Sequence, residues 1–432
     1  MENALENTVK FAVISILILA FAALTFAAGF GTAYLLSAST PPATEPPTEV
    51  ATPPADGDSA PTEVPPITPI PPPTPTNEDE EVFQLFWEVW GLIEENYYGE
   101  LPDLQEVTYG AIYGMIETLD DNYTYFVEPE VAAMQAEDAT GEYQGIGAWV
   151  GTDDDGRIQL AGIFENSPAE EAGLQDGDII LAVDGTSLVG STVYEAIALI
   201  RGPEGTDVIL LVERDGVADP FEVTVTRARI ETPVTEAEIL DGRVAYIRLY
   251  DFQTNVASQR VEEDLQTLLA QEPVGLIFDL RGNPGGQVNQ AVQIADLFLD
   301  EGVVLIERWS DGSERKPRTG SGDIGEQIPM VLLVDGGSAS AAEILAGALQ
   351  DRGRATLIGE TTFGKGVVQI VLSLTDGSEL AVTAASWYTP NDRAIHEQGL
   401  TPDIEVPWPA EGVEPDEDPQ LDRAVEYLTT GE

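Results

Sequence analysis

The sequence predicts a mixed α/β protein of several domains, and three observations carry that prediction. An apolar strand over 274–280 runs into Arg-Gly-Asn-Pro-Gly-Gly and then a helical stretch over 288–299. Residues 329–334 repeat the plan, with Gly-Gly-Ser-Ala-Ser ahead of a helix over 341–349. Continuous apolar strands alternating with helices indicate a largely parallel sheet covered on both faces. Upstream, residues 141–230 show short strands punctuated by Gly/Asp turns, a β-rich module of about 90 residues that is large enough for a small domain.

The elements follow in order. Residues 11–36 carry no charge, and about 20 apolar residues suffice to cross a bilayer as a helix. Lys10 is the one basic residue near either end, which favours a cytoplasmic N-terminus. We therefore expect a stub and transmembrane anchor over 1–36, with the rest of the chain outside the cytoplasm on a single-pass membrane protein. The alternative is a signal peptide cleaved near Ser37-Ala-Ser39, which would release a secreted protein. Residues 37–80 form a Pro/Thr-rich linker with 14 prolines between Pro41 and Pro75. In the polyproline conformation it extends at about 3.1 Å per residue.

A helical region is expected over 81–140. Val82, Phe83, Leu85, Phe86, Val89, Trp90 and Ile93 trace one apolar face, and Ala111, Ile112, Met115, Ile116 and Leu119 trace a second, predicted to point inward. Within the β-rich module, strands are expected over 146–150, 158–163, 178–183, 208–213 and 222–226, with helices over 168–172 and 192–200. A larger α/β unit spans 231–408, with a strand over 244–249, a helix over 256–270, and a hairpin of 367–374 with 379–386 turning at Asp376-Gly377. An acidic tail, 409–432, closes the chain with one helical stretch over 418–428.

Composition removes several function classes. There are 77 acidic residues against 19 basic ones, for a formal net charge of −58. Such a surface repels nucleic acid and anionic headgroups. No cysteine is present, so thiolate chemistry is excluded. A single histidine, His396, removes most histidine metal sites and leaves one candidate base for a Ser-His-Asp triad. Its turn-rich setting suggests a surface position.

Lysine is the residue that stands out. The chain holds three, and Lys365 lies in Gly359-Glu-Thr-Thr-Phe-Gly-Lys-Gly366. A desolvated lysine gives up its proton, whereas arginine does not. Seven positions here match a phosphate-binding loop, but the eighth is Gly366 rather than Ser or Thr, and a β-branched run follows instead of a helix. Ser338 and Ser340 open the 341–349 helix, where backbone N–H groups favour developing negative charge. Ser340-Ala-Ala-Glu343 also reads as a capping box, and that segment alone favours the cap. Gln369, four residues after Lys365, lies on the same face of a strand and could orient the amine. Ser with a neutral Lys is an established alternative to Ser-His-Asp.

These motifs together resemble the carboxyl-terminal processing proteases, the tail-specific S41-type Ser-Lys peptidases. Asp335–Asp351 resembles their nucleophile region, 359–369 their lysine segment, Asp279-Leu-Arg-Gly-Asn-Pro-Gly-Gly286 their oxyanion loop, and Leu119-Asp-Asp-Asn-Tyr-Thr-Tyr-Phe126 the segment before their PDZ domain. The resemblance implies a PDZ domain over 141–230 and an α/β-sandwich (crotonase/ClpP-like) protease core over 231–408. It implies Ser340 as nucleophile, Lys365 as general base and Gln369 as its orienting residue, with the N–H groups of Gly286 and Ala341 as oxyanion hole. Gly145, Ile146, Gly147 and Ala148 match the PDZ loop that receives a peptide carboxylate. Arg201 is a candidate gating contact with the protease body. Here Ala342 replaces the third serine of the family's usual Ser-Ala-Ser-Ala-Ser-Glu.

The expectation is an extracytoplasmic serine endopeptidase that takes the C-terminal tails of client proteins, with no metal or other cofactor and no nucleic-acid partner. The helices over 81–119 could support a homodimer. The alternative is an inactive PDZ scaffold or chaperone on a protease fold.

Overall fold

The computed structural model describes residues 77–153, 155–240, 243–408 and 417–431. The expected membrane helix over 11–36 lies outside the described residues, as does nearly all of the linker. Among the described residues no helix is long and apolar enough to cross a membrane.

The first helix, Asn77–Asn96, begins before the predicted start at 81. Val82, Phe83, Leu85, Trp87, Val89 and Leu92 are all exposed on it. The second helix, Leu104–Glu117, is capped by Asp103, whose carboxylate accepts from Glu106 N at 2.8 Å. It buries Tyr109 and Ile116, with Ile112 beside them, against Phe126 and Leu380. The prediction that Ala111, Met115 and Leu119 point inward is corrected, because all three are exposed. The Tyr109 hydroxyl donates to Asp376 Oδ2 at 2.8 Å, and this anchor across the body sets which face turns in.

The β-rich module is an antiparallel sheet in the order Ala148–Thr152, Ile158–Ile163, Ile179–Val183, Asp207–Glu213, Phe221–Thr226. Its core is Ile146, Leu160, Ile180, Val208, Leu210 and Val212, with two helices, Pro168–Glu171 and Val193–Ile200, over it. The first strand starts at Ala148 rather than the expected 146, since the chain turns at Gly147 with φ +80°. Strands Glu142–Gly145 and Ala228–Glu231 pair antiparallel and tie the module's entry to its exit.

The larger unit is built on two sheets. Its central sheet runs Thr235–Leu240, Val244–Leu249, Gly275–Asp279, Met330–Val334, Thr356–Gly359, Ile404–Glu405, parallel from the second strand onward. The apolar strands divide by alternation. Ala245, Ile247, Leu276, Phe278, Leu332 and Val334 belong to the cluster under helices Ala257–Leu269, Val288–Phe298 and Ala341–Asp351. Val244, Tyr246, Ile277, Val331 and Leu333 face the other way, onto Ala424. Each fully buried Val, Leu, Ile or Phe side chain among these stabilises the fold by about 1.5–3 kcal/mol. The cover on that second face is helix Pro419–Thr430, so the segment set apart in the sequence as an acidic tail contributes a layer of the core. Leu421, Val425 and Leu428 repeat at helical spacing, and the acidic residues between them hide that stripe in composition.

A second, antiparallel sheet joins Tyr125–Val127, Glu379–Tyr388, Ile306–Trp309 and Glu314–Arg315, with Val367–Ser373 paired to Glu379–Tyr388 as the expected hairpin. The nucleophile candidate thus comes from the central sheet and the lysine from the second one.

Candidate active site

Two parallel strands of the central sheet, Gly275–Asp279 and Met330–Val334, deliver two Gly-rich loops to one edge. The loops are fastened to each other. Gly282 N donates to Asp335 Oδ1 at 2.8 Å, and Ala339 N donates to Asn283 O at 2.9 Å. Asn283 is fully buried, donating from Nδ2 to Leu249 O at 2.7 Å and accepting from Gly285 N at 2.9 Å. Only glycine fits the tip. A Cβ on Gly285 would lie 2.5 Å from Ala339 O and 2.8 Å from Ala341 N, and one on Gly286 would lie 2.4 Å from the Phe252 carbonyl carbon. The Gly loop therefore rests against the first turn of the Ala341–Asp351 helix, whose leading amides have no intrahelical acceptor.

The two serines differ in what binds them. The Ser338 hydroxyl donates to Leu280 O at 2.8 Å and accepts from Asp335 N at 3.0 Å, so it is consumed by the loop. Ser340 is buried with φ +54° and ψ −113°, a conformation L residues rarely adopt. Such backbone costs of order 1–3 kcal/mol and tends to persist at functional turns.

Glu343 is fully buried and joins the two halves of the site. Its carboxylate accepts from Ser340 N at 2.9 Å, Thr362 Oγ1 at 2.5 Å, Gly364 N at 2.7 Å and Lys365 N at 2.9 Å. Oε2 takes both the Ser340 and the Lys365 amides, which places those two backbones around one oxygen. Burial pushes the Glu343 carboxyl pKa up, opposed by these hydrogen bonds. The capping box seen in the sequence is thus half of a larger device that reaches 22 residues downstream to Lys365.

Lys365 is 1 % exposed, and its Nζ donates to Gln369 Oε1 at 2.7 Å. Burial lowers its pKa from 10.5 to about 8, against the opposing pull of the Glu343 and Asp121 charges. Its carbonyl accepts from Trp387 Nε1 at 2.9 Å, which pins the turn to the second sheet. Gln369 is equally buried and donates from Nε2 to Tyr123 O, so its carbonyl oxygen is the atom left to face the amine. Asp121 holds the turn that presents this carbonyl, accepting from Tyr123 N at 3.0 Å and Thr124 Oγ1 at 2.6 Å. The Tyr123 ring lies 5.4 Å from Nζ. Glu343, Tyr123 and Asp121 were not singled out as site residues in the sequence. The Asp-Asn-Tyr-Thr run between apolar elements is the signal for the latter two.

His396 is half-buried rather than on the open surface, with Nδ1 3.4 Å from Gly366 N and its ring 5.8 Å from that of Tyr123.

Comparison with known proteins follows this geometry. Residues 243–406 match peptidase family S41, and residues 162–214 match a PDZ domain. The carboxyl-terminal-processing protease of Synechocystis sp. is 39 % identical over 351 residues, which cover 79 % of this chain and 82 % of that protein. This chain is a member of the carboxyl-terminal processing protease family. The Bartonella bacilliformis carboxy-terminal-processing protease is 35 % identical over 342 residues, 78 % of each chain. Among solved structures, the photosystem II D1 C-terminal processing protease superposes with a TM-score of 0.51 at 28 % identity, covering 80 % of this chain and 97 % of that one. The chain is accordingly a peptidase with a PDZ domain.

In this processing protease the segment 145–148, the expected carboxylate loop, is built into the module's core. Ile146 is buried, and Gly147 O accepts from Phe164 N at 3.0 Å. Arg201 pairs with Asp138 at 2.6 Å and Glu137 at 3.5 Å and covers the Tyr143 ring at 4.4 Å. Its ion pairs are with helix Pro129–Asp138, not with the protease body that the sequence led us to expect. A cavity of about 590 Å³ opens between strand Ala148–Thr152 and helix Val193–Ile200 of the PDZ module and reaches Gly282, Pro284 and Gly337 of the Gly-rich loops.

Proposed function

We propose that this chain is an extracytoplasmic endopeptidase that cuts client proteins near a free apolar C-terminus with a Ser340–Lys365 dyad. The observation that carries the reading is Lys365, buried, hydrogen-bonded to Gln369 and tied through Glu343 to the Ser340 backbone. A neutral Nζ takes the Ser340 hydroxyl proton as Oγ bonds to the scissile carbonyl carbon. The N–H groups of Gly286 and Ala341 receive the oxyanion. The C–N bond then breaks, the leaving amine takes the proton from Nζ, and water hydrolyses the acyl-enzyme with Lys365 again as base. The PDZ loop 145–148 holds the tail's carboxylate, and the groove residues take apolar side chains. Arg201, poised between the PDZ groove and helix Pro129–Asp138, transmits occupancy of the groove.

The charge-free run 11–36 supports a membrane anchor, and the Pro-rich linker a tether of adjustable reach. The exposed apolar side chains of helix Asn77–Asn96 support a homodimer.

A fluorophosphonate probe tests the nucleophile. Mass spectrometry should find the adduct on Ser340, and Ser340→Ala should neither label nor cleave a peptide with a free apolar C-terminus. Cleavage by Ser340→Ala would sink the reading.

A further inference from the structure

The loop that carries the Gly286 amide does little to fix its own path. Gly282, Gly285 and Gly286 have φ of +68°, +94° and +144°, a region that glycine enters as readily as others. The path is therefore imposed by what the loop touches. On the nucleophile side Asp335 and Ala339 hold it. At its far end Phe252 N donates to Gly285 O at 2.8 Å, and Gln287 N donates to Phe252 O at 2.9 Å. The entry to the loop is Arg281, and a different part of the chain holds it.

The Arg281 guanidinium is gripped between two carboxylates. Nε donates to Asp279 Oδ1 at 3.0 Å, and Nη2 donates to Asp279 Oδ2 at 2.6 Å. Asp279 is fully buried, and it also accepts from Arg281 N and from the Tyr246 hydroxyl, each at 2.9 Å. From the other side Nη2 lies 2.8 Å from Asp418 Oδ2. Nη1 donates to Asp418 Oδ1 at 3.0 Å and to Gln420 Oε1 at 3.1 Å. Gln420 is fully buried, and its Nε2 donates to Val406 O at 2.8 Å, so its oxygen is the end turned to Arg281. Asp418 caps helix Pro419–Thr430, accepting from Leu421 N at 2.9 Å. The start of the C-terminal helix thus grips the residue at which strand Gly275–Asp279 gives way to the loop, 137 residues away in sequence. Both partners lie past residue 406, where the match to peptidase family S41 ends.

The helix is held on the sheet without this clamp, because Leu421, Val425 and Leu428 pack it onto the second face. An ion pair taken out of water is a poor source of net stability, since desolvation offsets most of the attraction. Breaking one partner of it is costly, however, so it fixes geometry.

We propose that Asp418 and Gln420 are positioning residues for the oxyanion hole: through Arg281 they set the path of the Gly-rich loop, so that the Gly286 amide points to where the oxyanion forms. This rests on the Ser340–Lys365 reading above and adds the C-terminal helix to the machinery that it uses.

A transition-state analogue tests the proposal on the full-length enzyme. The probe is a peptide boronate with boron in place of the scissile carbonyl carbon. Ser340 Oγ adds to boron, its proton passes to Lys365, and an oxygen of the tetrahedral anion occupies the oxyanion hole. Asp418→Asn keeps a helix cap, since asparagine caps as well as aspartate, but removes the charge that faces Arg281. Asp418→Asn and Gln420→Leu should each lower kcat by about tenfold or more, leave KM for a tail peptide unchanged, and raise the boronate Ki by the same factor. Leu428→Ala loosens the same helix away from the clamp. It should lower the melting temperature and leave kcat and Ki unchanged well below the transition. Clamp variants that cleave and bind boronate like the wild type would overturn this proposal alone, as would a loss confined to KM or a fall in kcat with Ki unchanged. Equal losses in Leu428→Ala would assign the helix to stability and overturn it too. A wild type that neither cleaves tail peptides nor takes boronate on Ser340 would overturn the functional reading and this one together.

Discussion

Lys365→Arg removes the one property that the dyad needs while keeping a long cationic side chain. With a pKa of about 8, roughly one Lys365 in ten is neutral at pH 7, against about one in three thousand for a lysine at its ordinary value. Burial therefore raises the population of active base by about 300-fold. Arginine, with a pKa above about 12, has fewer than one neutral side chain in 10⁵ at that pH. The guanidinium must also fit a site that encloses Nζ to 1 % exposure beside Gln369 and the Tyr123 ring. The expected loss in kcat/KM at pH 7 is at least about 10³-fold. The assay is cleavage of a labelled peptide with a free apolar C-terminus from pH 6 to 10. In the wild type the rate should climb about tenfold per pH unit below the Lys365 pKa and level off above about 8. The sign follows from the neutral form being the base: a lowered pKa moves this rising limb to lower pH. A profile flat from pH 6 to 9, or Lys365→Arg retaining more than about a tenth of the wild-type rate, would refute the reasoning.

Glu343→Gln removes a negative charge that holds the Lys365 pKa up and sets an amide donor either against the Ser340 and Lys365 N–H groups or against that of Gly364. Its pH–rate profile should show a lower plateau with the rising limb displaced to more acidic pH. Ser340→Gly, also inactive, should melt above Ser340→Ala, because glycine tolerates φ +54°; about 1 kcal/mol of relief corresponds to roughly 2–4 °C. Gly286→Ala drives a Cβ into the Phe252 carbonyl, so it should lower the melting temperature and cost about 10²-fold or more in kcat by moving an oxyanion donor. His396→Ala should leave the pH–rate profile in place. Loss of the rising limb in that variant would make the histidine the base.

The proposed base was legible because its residue type is rare in this chain. With no cysteine, one histidine and three lysines, a lysine between glycines stood apart before any fold was known. The strand–Gly loop–helix units were equally readable, since each is a local pattern repeated twice. Ser340 could not be separated from a helix cap by its segment alone, because Ser-Ala-Ala-Glu satisfies both readings. Only the structure divides the roles, giving the Ser338 hydroxyl to Leu280 O and Ser340 a left-handed backbone.

Glu343 shows where local pattern runs out. In sequence it is the third residue of a helix, and its acidic side chain suits a helix start. In the fold it is a buried carboxylate receiving four hydrogen bonds from two segments about twenty residues apart, and no periodicity encodes that. The acidic C-terminal helix is a similar instance, since its apolar stripe has meaning only once an uncovered sheet face exists for it.

By itself the sequence determined the chemical inventory, the alternation of strands and helices, and the identity of the candidate base, all of which are properties of residue type and near neighbours. The tertiary structure decided the protonation chemistry. The drop in the Lys365 pKa comes from burial between two sheets that meet only in the folded chain, and the Gln369 carbonyl faces the amine because Tyr123, 246 residues away in sequence, takes the other end of the amide. Desolvation and long-range hydrogen bonds depend on what surrounds a group in space, and spatial neighbours this distant leave no local trace.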